Sequence, residues 1–153
     1  MRTVFNAIEA ALELPANQAL FTDEGLTAPA STIIFSKEYQ EEEVDHIPPR
    51  PYLSIEFGRV EWQTEEGAKE GDLPVTVHVV QDTISFREKQ EALLQLPEIV
   101  VEILDRISIS GDVLVHKDSD PDHDYAHYFV SKENFEIRVT RGQVELPALI
   151  PDD

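Results

Sequence analysis

The sequence predicts an α+β fold: an antiparallel β-sheet packed against an N-terminal helix and one long central helix. Three observations predict it. Residues 73–80, Leu-Pro-Val-Thr-Val-His-Val-Val, place Val75, Val77 and Val79 on one side of a strand and Thr76, His78 and Val80 on the other, and β-branched side chains suit a pleated, half-buried surface. Phe86, Leu93, Leu96, Val100, Ile103, Leu104 and Ile107 then recur at three- and four-residue steps, which lays a wide apolar stripe along a helix. Val4, Phe5, Ile8, Ala11 and Leu12 do the same over residues 1–14.

The first helix should end at Pro15, because residues before a proline avoid the helical region. Residues 15–30 hold Gly25, Pro29 and few apolar anchors, which predicts a loop with a short strand near residues 19–21. Residues 31–39 form a weakly alternating strand. An acidic run, Glu41 to Glu43, and three prolines, Pro48, Pro49 and Pro51, follow it; the prolines fix extended backbone and make a rigid lead-in. It feeds a strand over residues 52–62, where Leu53, Ile55 and Phe57 alternate with Tyr52, Ser54 and Glu56 before a bulge or bend at Gly58.

Residues 64–72, with two glycines and four acidic residues, read as the loop that joins this strand antiparallel to residues 75–80. The long helix opens on Ser85-Phe86-Arg87-Glu88, the spacing of a capping box with Ser85 as N-cap. Pro97 lies inside the stripe, which favours one kinked helix over two. Beyond it, residues 108–116 form a strand broken at Gly111, and residues 125–130 and 135–140 form a closing hairpin across residues 131–134. The domain therefore covers residues 1–142, and residues 143–153, with Pro147 and Pro151, form a tail that is loose or packs on a neighbour.

Composition narrows the function. The 153 residues make one domain that can bury roughly 68–70% of its unfolded surface. Absence of cysteine excludes disulfides, thiolate metal sites and cysteine nucleophiles, and fits a reducing compartment. No basic-then-apolar leader and no apolar run long enough to span a bilayer are present, so neither secretion nor membrane insertion is expected. A net charge of -19, from 12 basic and 31 acidic residues, repels duplex DNA and anionic lipid.

Residues 118–124 place Asp118, Asp120, Asp122 and Asp124 at alternate positions beside His123 and His127. A calcium loop needs glycine where His123 stands and a bidentate glutamate where Phe129 stands, so the segment reads as a solvated acidic loop and no metal ligand is assigned. His46, His78 and His116 are dispersed, no serine lies in a nucleophile elbow, and the six glycines form no phosphate loop. Trp62 and the aromatic residues of the 52–57 strand suit a core or rim role better than a binding surface. No catalytic residue and no cofactor is expected, and the chain reads as something other than an enzyme.

An N-terminal helix, a proline-led strand Arg-Pro-Tyr-Leu-Ser-Ile at residues 50–55, the Val-Thr-Val-His-Val strand at residues 75–79, a long helix and a closing hairpin together resemble the tail-terminator or tail-completion proteins of long-tailed bacteriophages and prophages. That resemblance implies an α+β virion protein, present in the host cytoplasm during assembly, that forms a homo-oligomeric ring, commonly a hexamer. Such a ring caps the tail tube and joins it to the head, with tail-tube and head-completion proteins as partners. Acidic walls suit a ring through which DNA passes without sticking, and the acidic segments at residues 41–43, 65–70 and 118–124 are its candidates for lumen or interface. Two other readings fit the residues: an acidic interaction protein that mimics DNA or inhibits a basic partner, and a metal-dependent enzyme built on Asp118, Asp120, Asp122, Asp124 and His123.

Overall fold

The computed structural model describes residues 1–34, 49–65, 67–82, 86–122 and 128–141. Helix α1 (Arg2–Glu13) and helix α2 (Pro15–Thr22) precede strands β1 (Thr32–Ile34), β2 (Tyr52–Phe57), β3 (Gln63–Glu65) and β4 (Ala68–Asp82). Helix α3 (Phe86–Leu104) is followed by β5 (Ser108–Ile109), β6 (Asp112–Val113), β7 (Val115–Asp122) and β8 (Tyr128–Arg141). The fold is α+β, with the main sheet ordered β1-β2-β4-β8-β7 and β3 added to the start of β4. It is antiparallel except at its edge, where β1 runs parallel to β2 with Ile33 opposite Ser54.

Alternation along the two longest strands divides the molecule into layers. Leu53 and Ile55 of β2, Leu73, Val75, Val77 and Val79 of β4, and Phe135 and Ile137 of β8 share one sheet face. They form the core with Val4, Ile8 and Leu12 of α1, Phe21 of α2, and Leu96, Val100, Ile103 and Leu104 of α3. At one end the opposite face carries a second cluster of Tyr52, Val80, Tyr128 and Val130, with Ile33 against it.

Several expectations need correction. Residues 15–22 are helical, not a loop or strand: Leu14 is extended and Pro15 occupies the first turn of α2, where a missing N–H costs nothing and the ring's fixed φ suits a helix. The same proline thus ends α1 and starts α2. Gly25, at φ 75, closes α2, with the Leu26 N–H donating to the Phe21 carbonyl at 2.9 Å. Residues 64–72 are also not a long loop, since β3 and β4 pair directly, Glu65 opposite Ala68. Gly71 lies within β4 because residues 60 and 61 cross over it: an added Cβ would stand 2.6 Å from Val60 Cγ1 and 2.8 Å from the Glu61 carbonyl oxygen.

The closing hairpin is mispaired in the sequence reading. Residues 131–134 continue β8 without a turn, and its partner is β7, in which residues 118–122 belong to an edge strand and not to a loop. Polar character there reflects both sides of one strand being polar. Residues 108–116, expected as one strand broken at Gly111, instead reverse there: Ser110 and Gly111, both at positive φ, make the two-residue turn of a small β5–β6 hairpin, and β7 begins only at Val115. Elsewhere the reading holds: β2 and β4 pair antiparallel, and α3 runs through Pro97 as one helix. Ser85, most of the strand expected at 31–39, the acidic run at 41–43 and the 143–153 tail lie outside the described residues.

Candidate functional site

Away from the helices, the sheet presents a ladder of polar pairs. His78 is buried on that face, and its Nε2 lies 2.8 Å from Oε1 of Glu56. Thr76 Oγ1 donates to Asn134 Oδ1 at 2.8 Å, and Asn134 Nδ2 donates to Asp118 Oδ1 at 2.6 Å, so one row of contacts crosses β4, β8 and β7. Arg138 donates to Glu70 at 3.0 Å and to Asp72 at 3.2 Å, and these two acceptors, Glu70 first, hold its guanidinium charged above the usual range. Arg50 donates to Asp82 at 2.7 Å and stacks 4.6 Å over the Tyr128 ring. The Thr76–Asn134 and Asn134–Asp118 contacts across the strands each contribute roughly 0.2–1 kcal/mol. The exposed Asp118 and Asp120 also blunt the β7 edge against pairing with another strand.

A second cluster, between the sheet and α3, has no counterpart in the sequence reading. Glu133 is buried, and it accepts from the Ser131 hydroxyl at 2.5 Å and from the Ser119 hydroxyl, while His116 Nε2 lies 3.1 Å from the same carboxylate. In a regular strand, residues three apart point to opposite faces. The bulge between His116 and Asp118 adds a residue to β7 and turns both His116 and Ser119 toward the helices. A Ser-His-acid triad sets its carboxylate on one ring nitrogen and its serine on the other; here serine and imidazole both converge on the carboxylate, with Ser119 Oγ 3.4 Å from His116 Nε2. The arrangement satisfies a buried acid. It opens on a cavity of about 390 Å³ beneath Pro97 and Val101 of α3.

A groove of about 570 Å³ lies where the start of α1, the β2–β3 connection, the β5–β6 hairpin and the end of β8 meet. Met1, Val4, Val60, Trp62 and Val139 give it apolar walls, and Arg141 and Asp112 are among its lining residues. Trp62, read as a core or rim residue, is 40% exposed here.

Among the described residues no three His, Asp or Glu side chains converge to hold a metal ion, and no helix is long and apolar enough to cross a membrane. His46, His123, Asp124 and His127 lie outside the described residues.

No known family profile matches the chain, and no curated protein does. Among solved structures, the chain is similar to a chain from the virion of a native gene transfer agent particle, at TM-score 0.52 and 14% identity over 87% of this chain and 91% of that one. It therefore shares its fold with a virion chain. A second solved chain reaches TM-score 0.35 at 11% identity over 82% of this chain and 96% of that one, too distant to carry an argument.

Proposed function

We propose that the chain is a structural protein of a phage-like virion, and more finely a tail terminator: copies form a ring that caps the tail tube and joins it to the head, and no bond is made or broken. The observation that carries the reading is the fold shared with a virion chain over 87% of the length. Its chemistry is in keeping with assembly, since the sheet's outer face is a ladder of paired polar groups and the buried Glu133 is engaged by hydroxyls and imidazole. A net charge of -19 suits a lumen that carries DNA without binding it. On this reading the protein stands in the host cytoplasm until it enters the particle, with tail-tube and head-completion proteins as partners.

Light scattering across protein concentrations, with electron microscopy of the same samples, tests it. Closed rings of one size are expected, and a strict monomer at millimolar concentration overturns the ring. The acidity also favours a second reading, an interaction protein that occupies a basic groove on its target. That reading expects a monomer that captures basic nucleic-acid-binding proteins and releases them as salt rises.

A further inference from the structure

We propose that the cavity between α3 and the β7–β8 edge of the sheet binds an alkylammonium group, with Glu133 as the carboxylate that receives the charged head. Leu94, Pro97 and Val101 of α3 and Phe129 of β8 give the cavity apolar walls, and Glu133 lies on its sheet side with Ser119, Ser131 and His116. Leu94, 61% exposed, marks the rim. The volume of about 390 Å³ falls within the roughly 300–1,000 Å³ of small-ligand sites, which are mostly apolar with a few placed polar groups.

Charge selects the ligand. Glu133 is only 2% exposed, yet no lysine or arginine lines the cavity. Among the described residues its partners are the Ser119 and Ser131 hydroxyls and the His116 imidazole. Hydroxyls solvate a carboxylate without cancelling its charge, and a buried charge ordinarily meets an opposite one. Acceptor capacity remains, because a carboxylate offers about four lone-pair directions and Oε2 takes only the Ser131 hydroxyl. Glu98, exposed on α3, also lines the cavity, so both carboxylates repel an anion and attract a cation. Apolar walls strengthen that attraction over its value in water and suit an aliphatic stem behind the head. A free alkylamine and a lysine side chain share this build. The inference goes beyond the virion reading and does not need it.

The probe is n-butylammonium, titrated into the full chain and followed through the nuclear magnetic resonance signals of the His116 ring, whose Nε2 lies 3.1 Å from the Glu133 carboxylate. A saturable shift in the millimolar range is expected, with butyrate and n-butanol binding at least about tenfold more weakly. Glu133→Gln should weaken butylammonium by at least about tenfold, as loss of one partner of a buried charge pair does. Val101→Phe narrows the cavity, leaves Glu133 with all its partners and should weaken binding to the same degree with far-ultraviolet circular dichroism unchanged; this variant carries the test if Glu133→Gln does not fold. The peptide acetyl-Gly-Gly-Lys-Gly-Gly-amide separates the two sources: affinity equal to or above that of butylammonium assigns the site to a protein-borne lysine, and weaker binding assigns it to a free amine. Equal binding of butanol and butylammonium, or undiminished binding in either folded variant, overturns the inference. So does the absence of a saturable shift up to about 100 mM.

Discussion

Helix α3 runs through Pro97, and a proline there removes the N–H that would donate to the carbonyl four residues back, at Leu93. Gln81 of β4 supplies the replacement: its Nε2 donates to the Leu93 carbonyl oxygen at 3.0 Å, and the side chain is buried. Removing that donor by Gln81→Met keeps most of the volume but takes the Gln81 hydrogen bond from a part-buried carbonyl. The cost should be about 1–3 kcal/mol, or a fall in melting temperature of roughly 2–4 °C per kcal/mol for a chain this long. The informative measurement is the double-mutant cycle. Pro97→Ala restores the missing backbone N–H, so Gln81→Met made in that background should cost at least about 1 kcal/mol less than in the parent. Denaturant titrations of the four proteins give the coupling. If the two changes add to within roughly 0.5 kcal/mol, the usual scatter for independent sites, Gln81 does not stand in for the helical hydrogen bond.

Three further outcomes can be measured on the same footing. Gly71→Ala would drive a Cβ to 2.8 Å from the Glu61 carbonyl oxygen and 2.6 Å from Val60 Cγ1 and should lower stability by about 1–3 kcal/mol; Val60→Ala should restore only part of that loss, because the other neighbour is backbone. Glu133→Ala strips the acceptor from Ser119, Ser131 and His116 and should cost about 1–3 kcal/mol in denaturant titration, whereas Asp120→Ala on the exposed edge should change stability by less than about 0.5 kcal/mol. Burial pushes the Tyr52 phenol from 10.0 up to about 12, against the lowering effect of nearby Arg50. The folded chain then holds that proton where the unfolded chain has released it, so Tyr52's contribution is complete below pH 10 and disappears as pH rises toward 12. Tyr52→Phe should flatten that alkaline decline in a plot of stability against pH.

The valine strand and the apolar stripe of α3 were legible because each turns its apolar residues to the helix–sheet core at a fixed step, so that period 2 or 3.6 in the residues maps onto the fold directly. Gly71 was misread because its reason to be glycine is a chain segment that crosses over it, which local pattern does not reveal. Ser131-Lys132-Glu133-Asn134 was read as a turn for a related reason. All four residues are polar, yet Ser131 and Glu133 face the helices and Lys132 and Asn134 the outer surface, each side satisfied by partners from elsewhere in the chain. Pro15 could have been read correctly, since a residue that ends one helix is also a favoured first residue of the next.

The same logic explains why the Glu133 cluster is invisible in the sequence while being among the most specific features of the fold. His116 and Ser119 are three residues apart in a strand, a spacing that normally separates them by the thickness of the sheet. One extra residue at the bulge brings them to the same side, and Glu133 meets them only because β8 pairs with β7 in this register. Because β4 holds β8 in place, a one-residue slip of that pairing would carry His116 and Ser119 to the outer face and leave the buried Glu133 without them. Buried polar groups of this kind add little net stability but penalise every alternative register. Here the penalty falls on the β7–β8 pair, where apolar alternation is weakest and the hydrophobic pattern alone would allow the strands to slide. Replacing the whole cluster at once, Glu133→Leu with Ser119→Ala, Ser131→Ala and His116→Phe, separates the two contributions: stability should change little, because no polar partner is left unpaired, while β7 amides should lose hydrogen-exchange protection relative to β2 as alternative registers become populated. Equal protection of the two strands in that variant would mean that the register is fixed by something other than this cluster.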